Sequence, residues 1–371
     1  MNNNDEVVSR AKPHTIKKIE LIEKYVESWA PKLLQGDKCS KLVFIDCMSN
    51  SGEYLDTKNN KVFGTPVRVA RYLHDVAKQY TSKSIDLYFS DLNHKKTEHL
   101  QSLMPNNSTN FHVYITTEDG NNLAKRIGQT MSSNKPIHYL LVYDPYEASI
   151  DWNAICPFIN GWSEVILNHM VSDSIRAAKM AKRDEAKTKY MQTYMIDDIK
   201  ELMPYGSNKD SYEKRIEEII KKLYHNQNRK LYISSFPFFN KKNALVYDLV
   251  HCTSNIAGFK LYKKSAWKTF GDKSSTKDTH GEELQLWLNY EGCDTPRTYT
   301  DEDCYCIRDI AKYLQNEFNG KSNVKLDEVW KHLENHPVFP SDGFRPEIKK
   351  ILKETHGAKI TGDSISFSNE R

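Results

Sequence analysis

No stretch of this 371-residue chain approaches the roughly 18 consecutive apolar residues of a membrane-spanning helix. The longest candidates, such as Tyr139–Tyr143, have the length of a buried strand. The opening MNNNDEVVSR is followed by no apolar segment, so it does not read as a signal peptide. Glycine (15) and proline (13) are too few for a low-complexity chain. Cysteine is sparse, odd in number (7) and scattered, which fits reduced thiols and a cytoplasmic location better than a disulfide framework. There is no G-x-S-x-G elbow, no P-loop, no H-E-x-x-H and no paired C-x-x-C. Hydrolase, phosphate-loop ATPase and structural-zinc readings therefore lose their usual carriers, and the expectation is no metal. Cys304-Tyr305-Cys306 with Cys293 upstream is poorly spaced for a tetrahedral site and reads as thiols. A net charge of +4 permits a nucleic-acid partner without implying one.

What is present is an alternation of strands and helices. A helix over residues 14–29, stopped by Pro31, precedes the apolar run Lys41–Asp46. A loop with one glycine, Cys47 to Tyr54, and a surface turn at 56–61 lead to a helix beginning at Gly64-Thr65-Pro66. Strands then follow at Ile85–Phe89, Phe111–Ile115, Tyr139–Tyr143 and Glu164–His169, separated by helices at His94–Met104, Leu123–Met131 and Trp152–Asn160. This order predicts right-handed crossovers and a mainly parallel sheet. A basic helical insertion occupies about 173–230, with a helix over Tyr212–Tyr224. Leu231–Phe236 and Leu245–Cys252 read as a hairpin completing the sheet, followed by a helix over 257–273.

The chain divides near residue 295, giving a Rossmann-like domain over 1–294 and a small domain over 295–371. In the latter, helices at Cys304–Phe318, Leu326–Leu333 and Pro346–Thr355 precede short strands at Ala358–Ile360 and Ser364–Phe367, the pattern of a winged helix-turn-helix. Residues 301–371 hold 11 Lys and Arg against 13 Asp and Glu, so the domain as a whole is no electrostatic clamp for DNA. Its third helix is locally basic through Arg345, Lys349, Lys350 and Lys353, which suits either nucleic-acid or protein contact. The run containing Arg176, Lys179, Lys182 and Arg183 suits a phosphate backbone, or a solvated helix face.

Ligands of open α/β sheets sit at the carboxyl ends of the strands. Here those ends carry Asp46, Asp91, Asp119 and Asp144. A strand, a glycine-containing loop and a helix form a pocket for an adenosine nucleotide, with the acid after the second strand taking the ribose hydroxyls. Asp46, Asn50 and Gly52 would line that pocket, Asp91 would meet the ribose, and Asp119 with Gly120 would lie near the adenine. The plainer alternative for Asp46 or Asp91 is a turn or helix-capping acid. In Asp144-Pro145-Tyr146, the aromatic ring could stack on a planar base while the Asp accepts hydrogen bonds from an amine, which suits methyl transfer to nitrogen. An ordinary Asp-Pro turn with a packed Tyr is the alternative.

At these residues the sequence resembles the three-Cys-motif partner family of Rossmann-type, methyltransferase-like proteins. The matching residues are Lys17, Tyr25 and Trp29 on the first helix, Phe44-Ile45-Asp46 with Gly52, and Gly64, Pro66 and Ala70. They continue with Asp91, Asp144-Pro145-Tyr146 with Trp152, and the stretch LVYDLVHCTSN with Gly258 and Trp267. The sequence departs from the family where Ser49-Asn50-Ser51-Gly52 replaces A-G-P-G and where Glu147 replaces a glycine. The resemblance implies S-adenosylmethionine as cofactor, a three-Cys-motif protein as partner, and a phage-defence or mobile-element setting, while the aromatic beside the Asp-Pro turn suits a nucleobase or nucleic acid as acceptor. The rival reading is a catalytically degenerate module that binds a nucleotide, nucleic acid or partner protein. A metal-dependent nuclease ranks last, for want of a P-D-x-n-E-x-K pattern.

Overall fold

The computed structural model describes residues 7–131, 136–145, 149–159, 162–171, 184–198, 201, 209–226, 228–277 and 304–369. A short strand, β1 (Ser9–Arg10), precedes α1 (Pro13–Leu34), and β2 (Lys41–Asp46) follows. The helix does not stop at Pro31 as expected. Proline removes one N–H and would orphan the carbonyl of Glu27. The Tyr72 hydroxyl donates to that carbonyl at 2.8 Å, and the helix runs on to Leu34.

The expected surface turn is likewise more structured. It is the tip of a hairpin, β3 (Glu53–Leu55) and β4 (Lys61–Phe63), to which β1 adds in parallel as a third strand. Both strands are only three residues long, too short for alternation to announce them. Then come α2 (Thr65–Gln79), β5 (Ser84–Ser90), α3 (His94–Leu103), β6 (Phe111–Thr116), α4 (Gly120–Thr130), β7 (Ile137–Tyr143), α5 (Trp152–Ile159) and β8 (Ser163–His169). The helices α6 (Asp184–Tyr194) and α7 (Lys209–Leu223) lie in the connection to β9 (Tyr232–Phe239) and β10 (Leu245–Thr253), after which α8 (Ile256–Phe270) closes the unit.

Seven strands form one sheet in the order β6-β5-β2-β7-β8-β10-β9. Counted along the chain within this sheet, the order is 3-2-1-4-5-7-6. Pairings from β6 to β8 are parallel, and only β10, the last of these strands in the chain, runs against its neighbours. This is the Rossmann-like, methyltransferase-type sheet. The chain order reverses between β2 and β7, which places a crevice above their carboxyl ends. Both strands are almost wholly buried, as continuous apolar runs in the middle of a two-sided sheet must be. One face packs on α1, α2 and α8 through Tyr25, Val67, Leu73 and Tyr262. The other packs on α4, α5, α6 and α7 through Leu123, Phe158, Tyr190 and Ile216. The segment read as an insertion thus supplies helices that cover the sheet.

The C-terminal residues form α9 (Ile307–Glu317), β11 (Val324–Lys325), α10 (Leu326–Glu334), α11 (Arg345–Glu354), β12 (Lys359–Thr361) and β13 (Ser364–Ser366). The three strands make an antiparallel sheet in the order β11-β13-β12. This unit is docked on α8. The Trp267 indole donates to the Val338 carbonyl at 3.0 Å, and the buried Lys263 ammonium donates to the carbonyls of Leu333, Glu334 and His336. The chain segment around residue 295, where a boundary was expected, lies outside the described residues.

Candidate functional site

The loop after β2 is stitched to the end of β5. The Ser49 backbone N–H and hydroxyl both donate to the Ser90 carbonyl at 2.9 and 3.0 Å, and the Ser90 hydroxyl donates to the Cys47 carbonyl at 2.7 Å. The loop turns through two left-handed residues, Asn50 at φ 55° and Gly52 at φ 73°. Asparagine tolerates this region because its side chain can bond the local backbone, and here its Oδ1 accepts from Ser51 N–H at 2.8 Å. Gly52 has no substitute. A Cβ there would lie 2.4 Å from Leu100 and 2.7 Å from Val67. The loop is then tied to the start of α2 by the Gly64 N–H on the Gly52 carbonyl, 2.8 Å.

Three of the strand-end acids meet. Asp46 is buried, and burial followed by the charge of Asp144 raises its pKa to about 7. Lys18 and a hydrogen bond from Met48 N–H oppose the rise, while Asp91 adds to it. The Tyr54 hydroxyl of the β3 strand bonds the Asn50 side chain, and burial, followed by the charges of Asp144, Asp46 and Asp91, raises its pKa. Asp91 accepts from Asn93 N–H at 2.8 Å, and Asn93 in turn caps α3, so the turn-forming alternative is part of its role. Between them Leu92 is 67% exposed, an apolar side chain left in solvent directly at the strand end. Asp119 caps α4 by accepting from Asn121 N–H at 2.8 Å, and a Cβ on Gly120 would lie 2.2 Å from the Cys47 carbonyl. That closeness fixes α4 against the β2 loop.

Asp144 is more open than Asp46 and Asp91. Lys18 donates to its Oδ2, and the buried Asn168 amide of β8 donates to its Oδ1. The Lys18 ammonium also lies 5.2 Å from the ring centroid of Tyr247, whose hydroxyl donates to the His14 carbonyl at 3.0 Å. Burial, then Lys12 and Lys18, lower the His14 pKa to about 4, so the imidazole is neutral near pH 7. Pro145 is buried beneath this corner.

The lysine matched to the family, Lys17, faces outward and pairs with Glu20 at 2.8 Å. Lys18 is the residue that reaches the site. Sequence reasoning also missed Tyr54, Asn168 and Tyr247. A signal for Lys18 existed: Ile22, Tyr25 and Trp29 follow it at intervals of 4, 7 and 11, which is one helix face.

Tyr146 and the basic residues Arg176, Lys179, Lys182 and Arg183 lie outside the described residues. The remaining basic set belongs to α11 of the C-terminal unit. Arg345 is engaged by the Ser341 carbonyl at 2.8 Å and Asp342 at 2.7 Å, with its guanidinium over Trp330. Lys349 lies 6.0 Å from the same ring, while Lys350 and Lys353 are exposed. Among the described residues, no group of three His, Cys, Asp or Glu side chains is arranged to hold a metal ion, and no helix is long and apolar enough to cross a membrane. A charged hollow of about 230 Å³ lies on the outer face of α1, lined by Lys17, Glu20, Glu27 and Lys268, away from the strand ends.

No family model matches the chain, and no curated protein matches it. Two solved structures similar to it are human methyltransferase-like protein 13 in complex with SAH and a loganic acid methyltransferase with SAH. The first is 12% identical over 78% of this chain and 98% of that chain, with a TM-score of 0.29. The second is 10% identical over 72% and 88%, with a TM-score of 0.27. The strand order, rather than these similarities, identifies the sheet.

Proposed function

We propose that the protein is an S-adenosylmethionine-dependent methyltransferase-like protein that acts on a nucleobase or nucleic acid. The observation that carries this reading is the convergence of Asp46, Asn50, Asp91 and Asp144 around Tyr54, above the switch point between β2 and β7. The residues suit the cofactor chemically. Asp91 offers a carboxylate to ribose hydroxyls, and Leu92 beside it offers an apolar platform to the adenine. Asp46 offers a buried negative charge to the amino-acid end. Bound there, S-adenosylmethionine would supply an electrophilic methyl group. The chain's part is positioning, with Asp144 and Lys18 facing the acceptor.

Membership of the three-Cys-motif partner family, with a three-Cys-motif protein as partner in phage defence or on a mobile element, belongs to the same proposal. So does a division into a catalytic domain and a C-terminal winged helix. The order helix, strand, helix, helix, hairpin over 307–366 supports the latter, and exposed Lys350 and Lys353 suit a phosphate backbone.

Calorimetric titration with S-adenosylmethionine and S-adenosylhomocysteine tests the reading. Saturable binding that is lost in Asp91→Ala is the expected result. Absence of binding at millimolar ligand would overturn it in favour of a module that binds nucleic acid or a protein partner.

A further inference from the structure

Asp144 does not stand alone at the acceptor side. One of its oxygens carries the Lys18 ammonium and the other the Asn168 amide, so the three side chains form a row: cation, carboxylate, amide. The carboxylate side chain is 30% exposed, whereas that of Lys18 is 11% exposed and Asn168 is buried. The amide oxygen of Asn168 is buried, so this side chain orients the carboxylate from within the sheet, and the open face of the row is that of Asp144. The ring of Tyr247 flanks the row on one side.

This arrangement bears on which nitrogen such a site would serve. An exocyclic amine that attacks a sulfonium methyl gains positive charge in the transition state, and a lysine ammonium beside it opposes that change. A lactam nitrogen behaves in the opposite way. As its N–H proton leaves, negative charge builds on the neighbouring carbonyl oxygen, and a cation there stabilises it. A donor next to two acceptors also matches one base edge in particular. Guanine presents a carbonyl acceptor, a ring N–H donor and an amino donor in that order, whereas adenine and cytosine present an amino donor beside a ring acceptor.

We propose that Lys18 and Asp144 read the Watson–Crick edge of guanine, with Lys18 on O6 and the two Asp144 oxygens on N1–H and the 2-amino group, while the buried Asn168 amide holds that carboxylate in place. This rests on the methyl-transfer reading only for the chemical step. In that step Asp144 takes the N1 proton, and the nitrogen pair forms the new bond to the methyl carbon of the sulfonium donor. The carbon–sulfur bond breaks with its electrons left on sulfur, and the carboxyl proton passes to water. Base recognition itself requires no cofactor.

The test is titration of the full-length protein with GMP, UMP, AMP and CMP, with and without S-adenosylhomocysteine, followed by saturation-transfer NMR and calorimetry. GMP is expected to bind about tenfold more tightly than AMP or CMP, with UMP between because it lacks the amino donor. Lys18→Met is expected to erase the preference and Lys18→Arg to restore it, with circular dichroism and the unfolding midpoint confirming a folded variant. Equal binding of AMP or CMP, a preference indifferent to Lys18→Met, or no nucleotide binding at millimolar concentration would each overturn the proposal. A guanine preference without any binding of S-adenosylhomocysteine would leave edge recognition standing and remove methyl transfer.

Discussion

The two ends of the sheet both bury carboxylates near α1, and they treat them in opposite ways. At the amino end, Glu164 is buried and engaged on both carboxylate oxygens. Tyr25 and His251 bond one oxygen, the latter at 2.8 Å, and the Trp29 indole bonds the other at 3.1 Å. Gly258 of α8 comes so near that a Cβ would lie 2.7 Å from the carboxylate. At the carboxyl end, Asp144 is partly open, Asp46 holds a raised pKa beside it, and the Asn168 oxygen has no partner. A carboxylate whose partners are all supplied by the fold is a fastener. One left with spare acceptors at a switch point is available to a ligand. The helix α1 links the two, since Lys18 and Tyr25 lie on one face about 10 Å apart along the axis. The fastener at one end thereby holds the cation at the other.

The largest effect is expected of Glu164→Ala. It would strand Tyr25, His251 and Trp29 without their acceptor in a dry core. The expected loss is about 3–5 kcal/mol, read as the shift in a urea unfolding midpoint. A loss no larger than that of a surface variant would remove the distinction between the two ends.

Asp46→Asn is expected to act in the other direction. Asp46 has a folded pKa of about 7 against an ordinary value of 3.8. Between those values the native state keeps a proton that the unfolded chain has released, so wild-type stability falls as pH rises. The variant should therefore be more stable by an amount of the order of 4 kcal/mol at pH 8 and gain almost nothing from charge at pH 3.5. Parallel pH–stability curves for the two proteins would contradict this. The same titration predicts that cofactor binding weakens below pH 7, as the carboxylate that faces the amino-acid end takes up a proton.

Gly52→Ala forces a side chain into a left-handed turn and against Leu100 and Val67, at an expected cost of about 2–3 kcal/mol. Asn50→Gly, one step away in the same loop, should instead be tolerated, because position 50 is already left-handed. Thermal melts of the two variants measure the contrast.

The main sheet was legible because its central strands β2 and β7 are apolar runs with a turn behind them, and the acids at strand ends follow from chain order alone. The hairpin β3–β4 was not legible, since three-residue strands carry no usable period. Pro31 misled because its compensation, the Tyr72 hydroxyl, comes from 41 positions away in the chain. Lys17 and Lys18 differ by 100° around a helix, and only the positions of Ile22, Tyr25 and Trp29 decide between them. Asn168 and Tyr247 lie at the site because β8 and β10 are paired with Asn168 opposite Leu249 and His169 opposite Asp248. Antiparallel register of that kind is a tertiary fact, and strand propensity does not contain it.

A small change in stability is expected at the residue on which most of the chemistry depends. Lys18→Met removes a cation from a carboxylate that water can still reach, so the cost should be about 1 kcal/mol or less. Breaking a closed pair such as that around Glu164 leaves a charge with nowhere to go, but Asp144 can be solvated in place. The electrostatic consequence falls on its neighbour. Lys18 is one of the two influences that hold the pKa of Asp46 down, and its loss should move that pKa further up. Carbon-13 NMR of aspartate carboxyls, titrated in wild type and Lys18→Met, measures the shift directly and needs no acceptor. An unchanged midpoint for Asp46 would mean that the Lys18 ammonium does not lie over the strand ends in solution, and the carboxyl end would then lose the cation that distinguishes it.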